Sequence, residues 1–302
     1  MRRFRAETFP RNVLYPFQHP TSDFRLPTSD FQLPIPMPFL SDLLTATGIG
    51  DLQAAMIAVF LPFLIPFFYL LYRAPRSTSR PRLRAIPAYD SLKKLLSRAA
   101  ETGQAVHVSI GTASVSGSKT ADTMAGLYAL EFLADRAANS DVPPLVTVTE
   151  PTTLPAALDQ LRRAYERQGY PDEFHLDQAR FIAPPINGSA VPYAAGVMDV
   201  LNHERVTANV MLGAFGDEYL LMAEAGAQRG LFQVGGASDP NVLPLVYLTM
   251  SQPILGEEIF AAGAYLLERV GHYTSLIAQD IFRVGVVVLV ILIVLARTLG
   301  LF

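Results

Sequence analysis

The chain has 302 residues, of which 50% are hydrophobic and 17% are charged, so it is more apolar than a typical soluble protein. Its formal net charge of −3 gives no reason to expect a nucleic-acid partner, because Lys and Arg are matched by Asp and Glu. The absence of cysteine excludes disulfides, thiolate metal sites and cysteine nucleophiles. The histidines lack metal-ligand spacing, so we expect no metal and no cofactor.

The first 36 residues combine several arginines with a tandem repeat, PTSDFRL followed at once by PTSDFQL. Two units are too few to form a repeat fold, and the density of proline and polar residues predicts a disordered tail over residues 1–36. We expect Met37 to be the natural first residue, with the repeat translated from DNA upstream of it.

The first long apolar segment runs from Leu52 to Tyr72 without a charged residue. Its length of about 21 residues is enough for a helix to cross the hydrocarbon core of a membrane. A buried helix of a soluble core is the alternative, but Pro62, Pro66 and the continuous apolar circumference disfavour it. Residues 37–84 are therefore predicted to hold an N-terminal transmembrane helix and a basic linker.

The second apolar segment runs from Val284 to Phe302, where the sequence ends. It is about 19 residues long, and Arg297 can reach the far interface with its long side chain. The density of Val and Ile also suits a buried strand, but no turn residue interrupts the run. We predict a C-terminal transmembrane helix over residues 280–302.

An arginine cluster directly after the first apolar segment predicts the membrane orientation. Its members are Arg73, Arg76, Arg80, Arg82 and Arg84. Residues 37–51 carry no Lys or Arg, and positive charge accumulates on the cytoplasmic side of spans. The cluster either contacts anionic headgroups or serves only as a topology signal. We therefore predict a cell-membrane protein with two spans and a cytoplasmic main domain over residues 85–279.

Residues 85–279 alternate short apolar runs with amphipathic stretches. The predicted strands are AVHVSI, PLVTVTE, RFIAP, VTANVMLGAF, LFQVGG and VLPLVYLTMS. Regular alternation of helices with nearly continuous apolar strands is typical of a parallel sheet covered on both faces. The sequence thus predicts an α/β fold, a doubly wound and mostly parallel Rossmann-like sheet flanked by two transmembrane helices.

The stretch VHVSIGTASVSGSKTADTMAGL predicts a strand, a loop of small residues and a helix. It is not a P-loop, because five residues separate Gly111 from Gly117 and Ser118 precedes Lys119. The dinucleotide fingerprint G-x-G-x-x-G fails too, since only one glycine can be matched. Two interpretations remain open, a plain strand-to-helix loop and a helix N-terminus that holds a polar or anionic ligand.

Loops after parallel strands emerge at one edge of a sheet, where ligands bind. Those of this chain are rich in small and polar residues, which suits either turns and helix caps or a ligand crevice. The candidate ligand-binding residues are Ser116, Ser118, Lys119, Thr120, Glu150, Asn187, Asp217, Ser238 and Asp239. Glu150, Asp217, Glu218 and Asp239 could act as acid or base, but no nucleophile or orienting histidine pairs with them. The catalytic residues therefore stay unknown.

The segment that begins at Glu257 predicts one long helix that continues into the second span. An apolar stripe recurs along it at spacings of four and three residues. The stripe consists of Ile259, Gly263, Leu266, Val270, Tyr273 and Ile277. It can pack on the domain's own sheet or on a second copy of the chain, where Gly263 would permit close approach.

Three stretches carry a resemblance to a known family, namely HVSIGTASVSGSKTADTMAGL, PPLVTVTEPTTL and LRRAYERQGY. The chain resembles an uncharacterised family of bacterial membrane proteins with a domain of unknown function. The resemblance covers Met37 to Phe302. It implies a membrane location and no activity, so no catalytic residue is carried over.

Two functions from different classes are consistent with these patterns. The favoured one is a membrane-anchored binding or scaffold protein whose cytoplasmic α/β domain self-associates or holds a partner or small ligand. The alternative is a membrane-bound enzyme acting on a phosphorylated or nucleotide-like molecule, which requires Lys119 to converge with a carboxylate such as Glu150 or Asp217. The expected partners are the lipid bilayer and a second copy or another membrane protein, without nucleic acid.

Overall fold

The computed structural model describes residues 51–73, 83–140 and 142–299. The predicted disordered tail, the proposed start at Met37 and the linker at 74–82 lie outside the described residues. Within these ranges six strands form one sheet, in which every neighbouring pair is parallel. The strands are β1 Ala105–Gly111, β2 Pro144–Val148, β3 Ala179–Phe181, β4 Val206–Ala214, β5 Phe232–Ala237 and β6 Gln252–Leu255.

Helices alternate with the strands, as the sequence predicts. They are α1 Asp51–Arg73, α2 Pro87–Thr102, α3 Thr120–Ala138, α4 Thr153–Gln168, α5 Val191–His203, α6 Glu218–Gln228, α7 Leu243–Thr249, α8 Ala262–Tyr265 and α9 Val270–Thr298. Short 3-10 helices lie at Pro171–Glu173, Leu176–Gln178 and Gly256–Ala261. The predicted α/β class and parallel sheet are confirmed.

The strand order across the sheet is β3-β2-β1-β4-β5-β6. The chain builds outward from β1 to β3 and then returns to β4 on the other side of β1. This is the order found in doubly wound, dinucleotide-binding sheets, whose switch point lies between the first and fourth strands. The loops after β1 and β4 therefore leave the sheet next to each other.

Two hydrophobic cores cover the two faces of the sheet. One contains Leu92 of α2, Leu130 of α3 and Leu161 of α4, and the other contains Tyr193 of α5 and Met222 of α6. The even-numbered residues 106, 108 and 110 of β1 belong to the first core, because successive strand side chains point to opposite faces. The central strands are thus buried on both sides.

Glycines allow β1, β4 and α3 to approach one another closely. A Cβ on Gly111 or Gly213 would overlap the backbone of the opposite strand, and Gly111 has a positive φ of 90°. The N–H of Thr112 continues the pairing by donating to the carbonyl of Ala214 at 2.8 Å. A Cβ on Gly126 would overlap the carbonyl oxygen of Leu212, so α3 lies directly against β4.

The predicted strand over residues 242–251 is wrong. Leu243–Thr249 forms α7, and β6 follows it at Gln252–Leu255. Pro244 lies in the first turn of α7, where its missing N–H leaves no hydrogen bond unmade. A short apolar run cannot be assigned to strand or helix by periodicity alone, which explains the error.

The predicted continuous helix from Glu257 is also wrong. The 3-10 helix ends at Ala261, and α8 follows it and ends at Tyr265. Residues 266–269 are not helical, and Glu268 among them has a positive φ of 50°. Ile259 and Leu266 are buried in the domain's first core, and Gly263 packs against the ring of His272. The first half of the apolar stripe therefore packs on the chain's own domain, whereas Val270 is exposed.

Among the described residues, one helix is long and apolar enough to cross a membrane. It is α9, whose most apolar 18-residue segment has a mean hydropathy of 2.5 and has no buried residue. The prediction of two such helices is not borne out, because the apolar stretch found within α1 is Leu64–Arg73. That stretch is shorter than the ~20 residues a crossing requires.

Replacing Gly126 with alanine tests the contact between α3 and β4. We expect Gly126→Ala to destabilise the domain by about 1–3 kcal/mol, because the helix must move away from the Leu212 carbonyl. Alanine's better helix propensity, about 1 kcal/mol, works against this loss. Gly271→Ala in α9 is the matched control, since no atom lies within 4 Å of its added Cβ. Equal denaturation midpoints for both variants in detergent would contradict the close packing.

Candidate functional site

The loops that follow the strands share one edge of the sheet, called here the strand-end edge. They comprise residues 112–119, 149–152, 182–190, 215–217 and 238–242, after β1 to β5 respectively. Helices α3 and α6, which follow β1 and β4, pack on opposite faces of the sheet. The loops after β1 and β4 therefore diverge at the switch point, where ligand crevices form in this architecture.

An ion pair between Lys119 and Asp239 joins two of these loops. The Lys119 Nζ lies 3.0 Å from Oδ2 of Asp239, and the two side chains are 47% and 27% exposed. Because β4 lies between β1 and β5, the pair crosses the end of β4. An ion pair this exposed contributes at most about 1 kcal/mol, so a ligand can displace it at little cost.

The hydrogen bonds around Asp239 keep its carboxylate ionised. The hydrogen bond from Lys119, followed by that from the backbone N–H of Asn241, holds the pKa of Asp239 below its usual value. The side-chain amide of Asn241 donates to the same carboxylate at 3.1 Å. The pair therefore offers both a cation and an anion at neutral pH.

Two buried threonines fix the loop after β1. The hydroxyls of Thr123 and Thr153 both donate to the carbonyl of Ala113, at 3.1 and 3.2 Å. Thr120 is already occupied, because its hydroxyl donates to the carbonyl of Gly117 at 2.6 Å. The loop backbone is thus held by α3 and α4 before any ligand arrives.

The serines of the same loop are more available. Ser116 and Ser118 are exposed, and the N–H of Ser116 donates to Oγ of Ser114 at 3.2 Å. Lys119 occupies the N-cap position of α3 and makes no capping hydrogen bond through its side chain. The first turn of α3 therefore presents a partly positive helix end without a side-chain cap next to the Lys119 ammonium, while the N–H groups of Thr120 and Asp122 already donate to the carbonyls of Gly117 and Lys119.

The other candidate residues lie on the strand-end edge but are not brought to Lys119. Neither Glu150 nor Asp217 makes an ion pair with Lys119 in the described part of the chain. The carbonyl of Glu150 accepts the Thr153 N–H at 3.0 Å and so helps to start α4. Asp217 is exposed and makes no capping hydrogen bond through its side chain.

The remaining candidates have local roles. Asn187 and Gly188 have positive φ angles of 51° and 79°, which makes a two-residue hairpin turn after β3. Ser238 is half-buried beside Asp239. Glu218, considered as an acid or base, accepts the N–H of Gly216 at 2.7 Å and thereby fixes the loop after β4.

Asp122 is a further candidate residue that the sequence did not reveal. It is 5% exposed, and its Oδ1 is buried without a hydrogen-bond partner among the described residues. Residues three and four apart share a helix face, so Asp122 lies on the same side of α3 as Lys119 and Gly126. Leaving a buried acceptor unpaired costs about 1–3 kcal/mol, so a donor from water or from a ligand would stabilise the carboxylate. An acidic residue in a first helical turn is common, which hid this signal.

A buried polar ribbon crosses the sheet beneath α5 and α6, and it too was missed. It consists of Ser109, Tyr193, Thr147, His107, Asn209 and Gln233. The pairing register places His107 beside Asn209 and Asn209 beside Gln233, so these side chains meet across three strands. The signal in the sequence was a set of polar residues at alternate positions of apolar strands.

The hydrogen-bonding partners in this ribbon determine which atom is the donor and which the acceptor in each bond. The Gln233 oxygen accepts from the Asn209 amide at 2.9 Å, which leaves Asn209 Oδ1 to accept from His107 Nδ1 at 2.8 Å. His107 Nε2 then accepts from the Thr147 hydroxyl at 2.9 Å. The Tyr193 hydroxyl donates to the Thr147 carbonyl at 3.1 Å. Each of these groups has a hydrogen-bond partner, which is typical of a network that stabilises the fold rather than of a catalytic site.

The buried neutral His107 makes stability depend on pH. Burial lowers its pKa to about 4 from an ordinary value of 6.5. The contribution of neutral His107 to the free energy of unfolding is complete above pH 6.5. As the pH falls from 6.5 to 4, the unfolded chain takes up a proton and the folded chain does not, so stability declines. The loss over that window is about 3 kcal/mol.

We expect His107→Gln to remove this part of the pH dependence, measured by denaturant unfolding at a series of pH values. His203→Gln is the control, because His203 is exposed and lies outside the ribbon. Both variants retain the titrating carboxylates, so the difference between their slopes isolates His107. Identical slopes would show that His107 is not held neutral by burial.

Comparison with known proteins gives a family but no activity. A family model described as a domain of unknown function, DUF6754, matches residues 47–302. No curated protein and no solved structure matches the chain. The family description names neither a source nor a membrane location, so those parts of the resemblance stay predictions. Because the match includes the whole sheet, the strand-end edge and α9, the chain belongs to the DUF6754 family.

Proposed function

We propose that the protein is a membrane-anchored α/β protein that binds a polar small ligand at the strand-end edge, over the ends of β1, β4 and β5. The Lys119–Asp239 ion pair carries this proposal, because it brings together two loops that are distant in sequence. The strand order supports the position, since ligands of doubly wound sheets bind beside the switch point.

The chemistry of the edge supports a ligand with both an anionic group and a hydrogen-bond donor. The ammonium of Lys119 and the uncapped start of α3 favour the anionic group. The unpaired Oδ1 of Asp122 favours the donor, such as a hydroxyl or an amine. A ligand of this kind would displace only an exposed ion pair, at a cost of at most about 1 kcal/mol.

The self-associating scaffold and the enzyme have less support. The first half of the stripe expected to join two copies is buried against the domain itself, with Ile259 and Leu266 in its core. The enzyme requires Lys119 to converge with a carboxylate, a contact that Asp239 makes, but no hydrogen bond joins the side chains of that pair to a histidine or a hydroxyl nucleophile among the described residues. Binding without turnover needs neither a nucleophile nor a contact between copies, and it is therefore the function we propose.

The chain's entry into the domain supports anchoring on one side of a membrane. The entry segment, residues 83–86, precedes α2. Its Arg84 side chain pairs with Glu258, and the backbone carbonyl of Arg84 accepts a hydrogen bond from the hydroxyl of Tyr265. The ring of Tyr265 also stacks on Tyr89 at 5.2 Å. The entry segment thus lies beside the segment that leads to α9. This neighbourhood suits an anchor through α9 with the domain on one side of the membrane, which the arginine-rich linker would place in the cytoplasm.

We expect Lys119→Ala to weaken ligand binding by about 1–3 kcal/mol, because it removes a charge-assisted hydrogen bond. Native mass spectrometry of the full chain, extracted in detergent from its own membrane, should show a bound mass that this variant loses. Lys94→Ala, at an exposed position of α2, should retain it. A wild-type protein without bound mass, or equal retention by both variants, would refute the proposed site.

A further inference from the structure

The chain leaves the sheet for α9 at the strand-end edge. The last strand, β6, ends at Leu255, and Glu257 follows two residues later. A carboxylate oxygen of Glu257 accepts a hydrogen bond from Arg283 of α9 at 2.6 Å. Arg283 is the last charged residue before the uncharged run 284–296. The apolar part of α9 therefore begins within a side chain's reach of the strand-end edge.

The contacts of α9 give its direction. At its start, Arg269 pairs with Glu131 and the ring of His272 lies edge-on to Tyr128, at 4.8 Å. Glu131 lies about 16 Å along α3 from the strand-end edge, at 1.5 Å per residue. Since Arg283 reaches that edge, α9 runs antiparallel to α3 and continues outward past the edge.

The packing of α9 agrees with this direction. Thr274 and Ala278, in its first half, are buried against the domain. From Asp280 onward the described side chains of α9 are mostly exposed. The helix thus leaves the domain where the strands end. The entry segment reaches the same place, because Arg84 pairs with Glu258.

Exposed apolar side chains occur at the far end of the same edge. The hairpin after β3 presents Ile186, which is 57% exposed, beside the exposed Phe181 and Val191. Five strand spacings separate β3 from β6, about 24 Å. Exposed apolar side chains are also found elsewhere, Leu176 among them. Their presence alone does not orient the domain, and the exit of α9 decides the orientation.

We infer that the strand-end edge is a membrane-docking surface, with its partner the headgroup layer of the bilayer that α9 crosses. This inference rests on the proposed membrane anchoring. Anchored by α9 beside β6 and touching the bilayer through the hairpin of Ile186 beyond β3, the edge lies along the membrane plane. Lys119 lies between these two points, so the ligand site opens toward the lipid headgroups.

Because the chain has no cysteine, single cysteines can report the depth of each edge. Ser189→Cys places a fluorescent label on the hairpin at the strand-end edge. Ser140→Cys places the same label beyond the end of α3, at the opposite edge. The full chain is reconstituted in vesicles of phosphatidylcholine and phosphatidylglycerol, with or without phosphatidylcholine that carries a nitroxide on its headgroup.

The nitroxide is expected to quench the label at position 189 several-fold more strongly than the label at position 140. Equal quenching, or stronger quenching at position 140, overturns the docking surface. Val290→Cys, in the apolar part of α9, separates this failure from a failure of the anchoring. Its label should be quenched by a nitroxide on the acyl chain. If it is not, α9 does not cross the bilayer, and both the anchoring and the docking surface are refuted.

Discussion

The close approach of β1 and β4 is the constraint on which the rest of the structure depends. The two strands are so close that a Cβ at Gly111 or Gly213 would overlap the opposite backbone, and Gly126 lets α3 lie against β4. This contact fixes the switch point of the sheet, because the chain turns to opposite faces directly after it. It also sets the start of α3 over the end of β4, from which Lys119 reaches Asp239.

Buried polar groups in this fold divide into two kinds, those with hydrogen-bond partners and those without. The ribbon around His107 is satisfied from Tyr193 to Gln233, so it stabilises one register of the sheet without needing a ligand. Among the described residues, the buried side-chain atoms without a partner are Oδ1 of Asp122, Oε1 of Gln178 and the hydroxyl of Tyr219. Of these, Asp122 lies one turn from Lys119 on α3, so we relate it to the proposed ligand.

The sequence predicted what depends on local pattern. Alternating apolar runs gave the parallel sheet, and that sheet placed all the candidate loops on one edge. It could not predict that Lys119 meets Asp239, because their contact depends on strand order. The break at residues 266–269 involves Glu268 with a positive φ and no glycine or proline, so no local signal marks it. The polar ribbon needed register across strands, which no single strand reveals.

We infer that α9 leaves the domain at the strand-end edge, which turns the proposed site toward the membrane. The exposed pair of Glu257 and Arg283 marks that exit and contributes little stability, so both positions tolerate replacement. Spin labels on Glu257→Cys and Arg283→Cys, in the full chain in lipid nanodiscs, test it directly by continuous-wave electron paramagnetic resonance. We expect dipolar broadening relative to the sum of the two singly labelled spectra, because the two positions are in contact. A doubly labelled spectrum equal to that sum would contradict it.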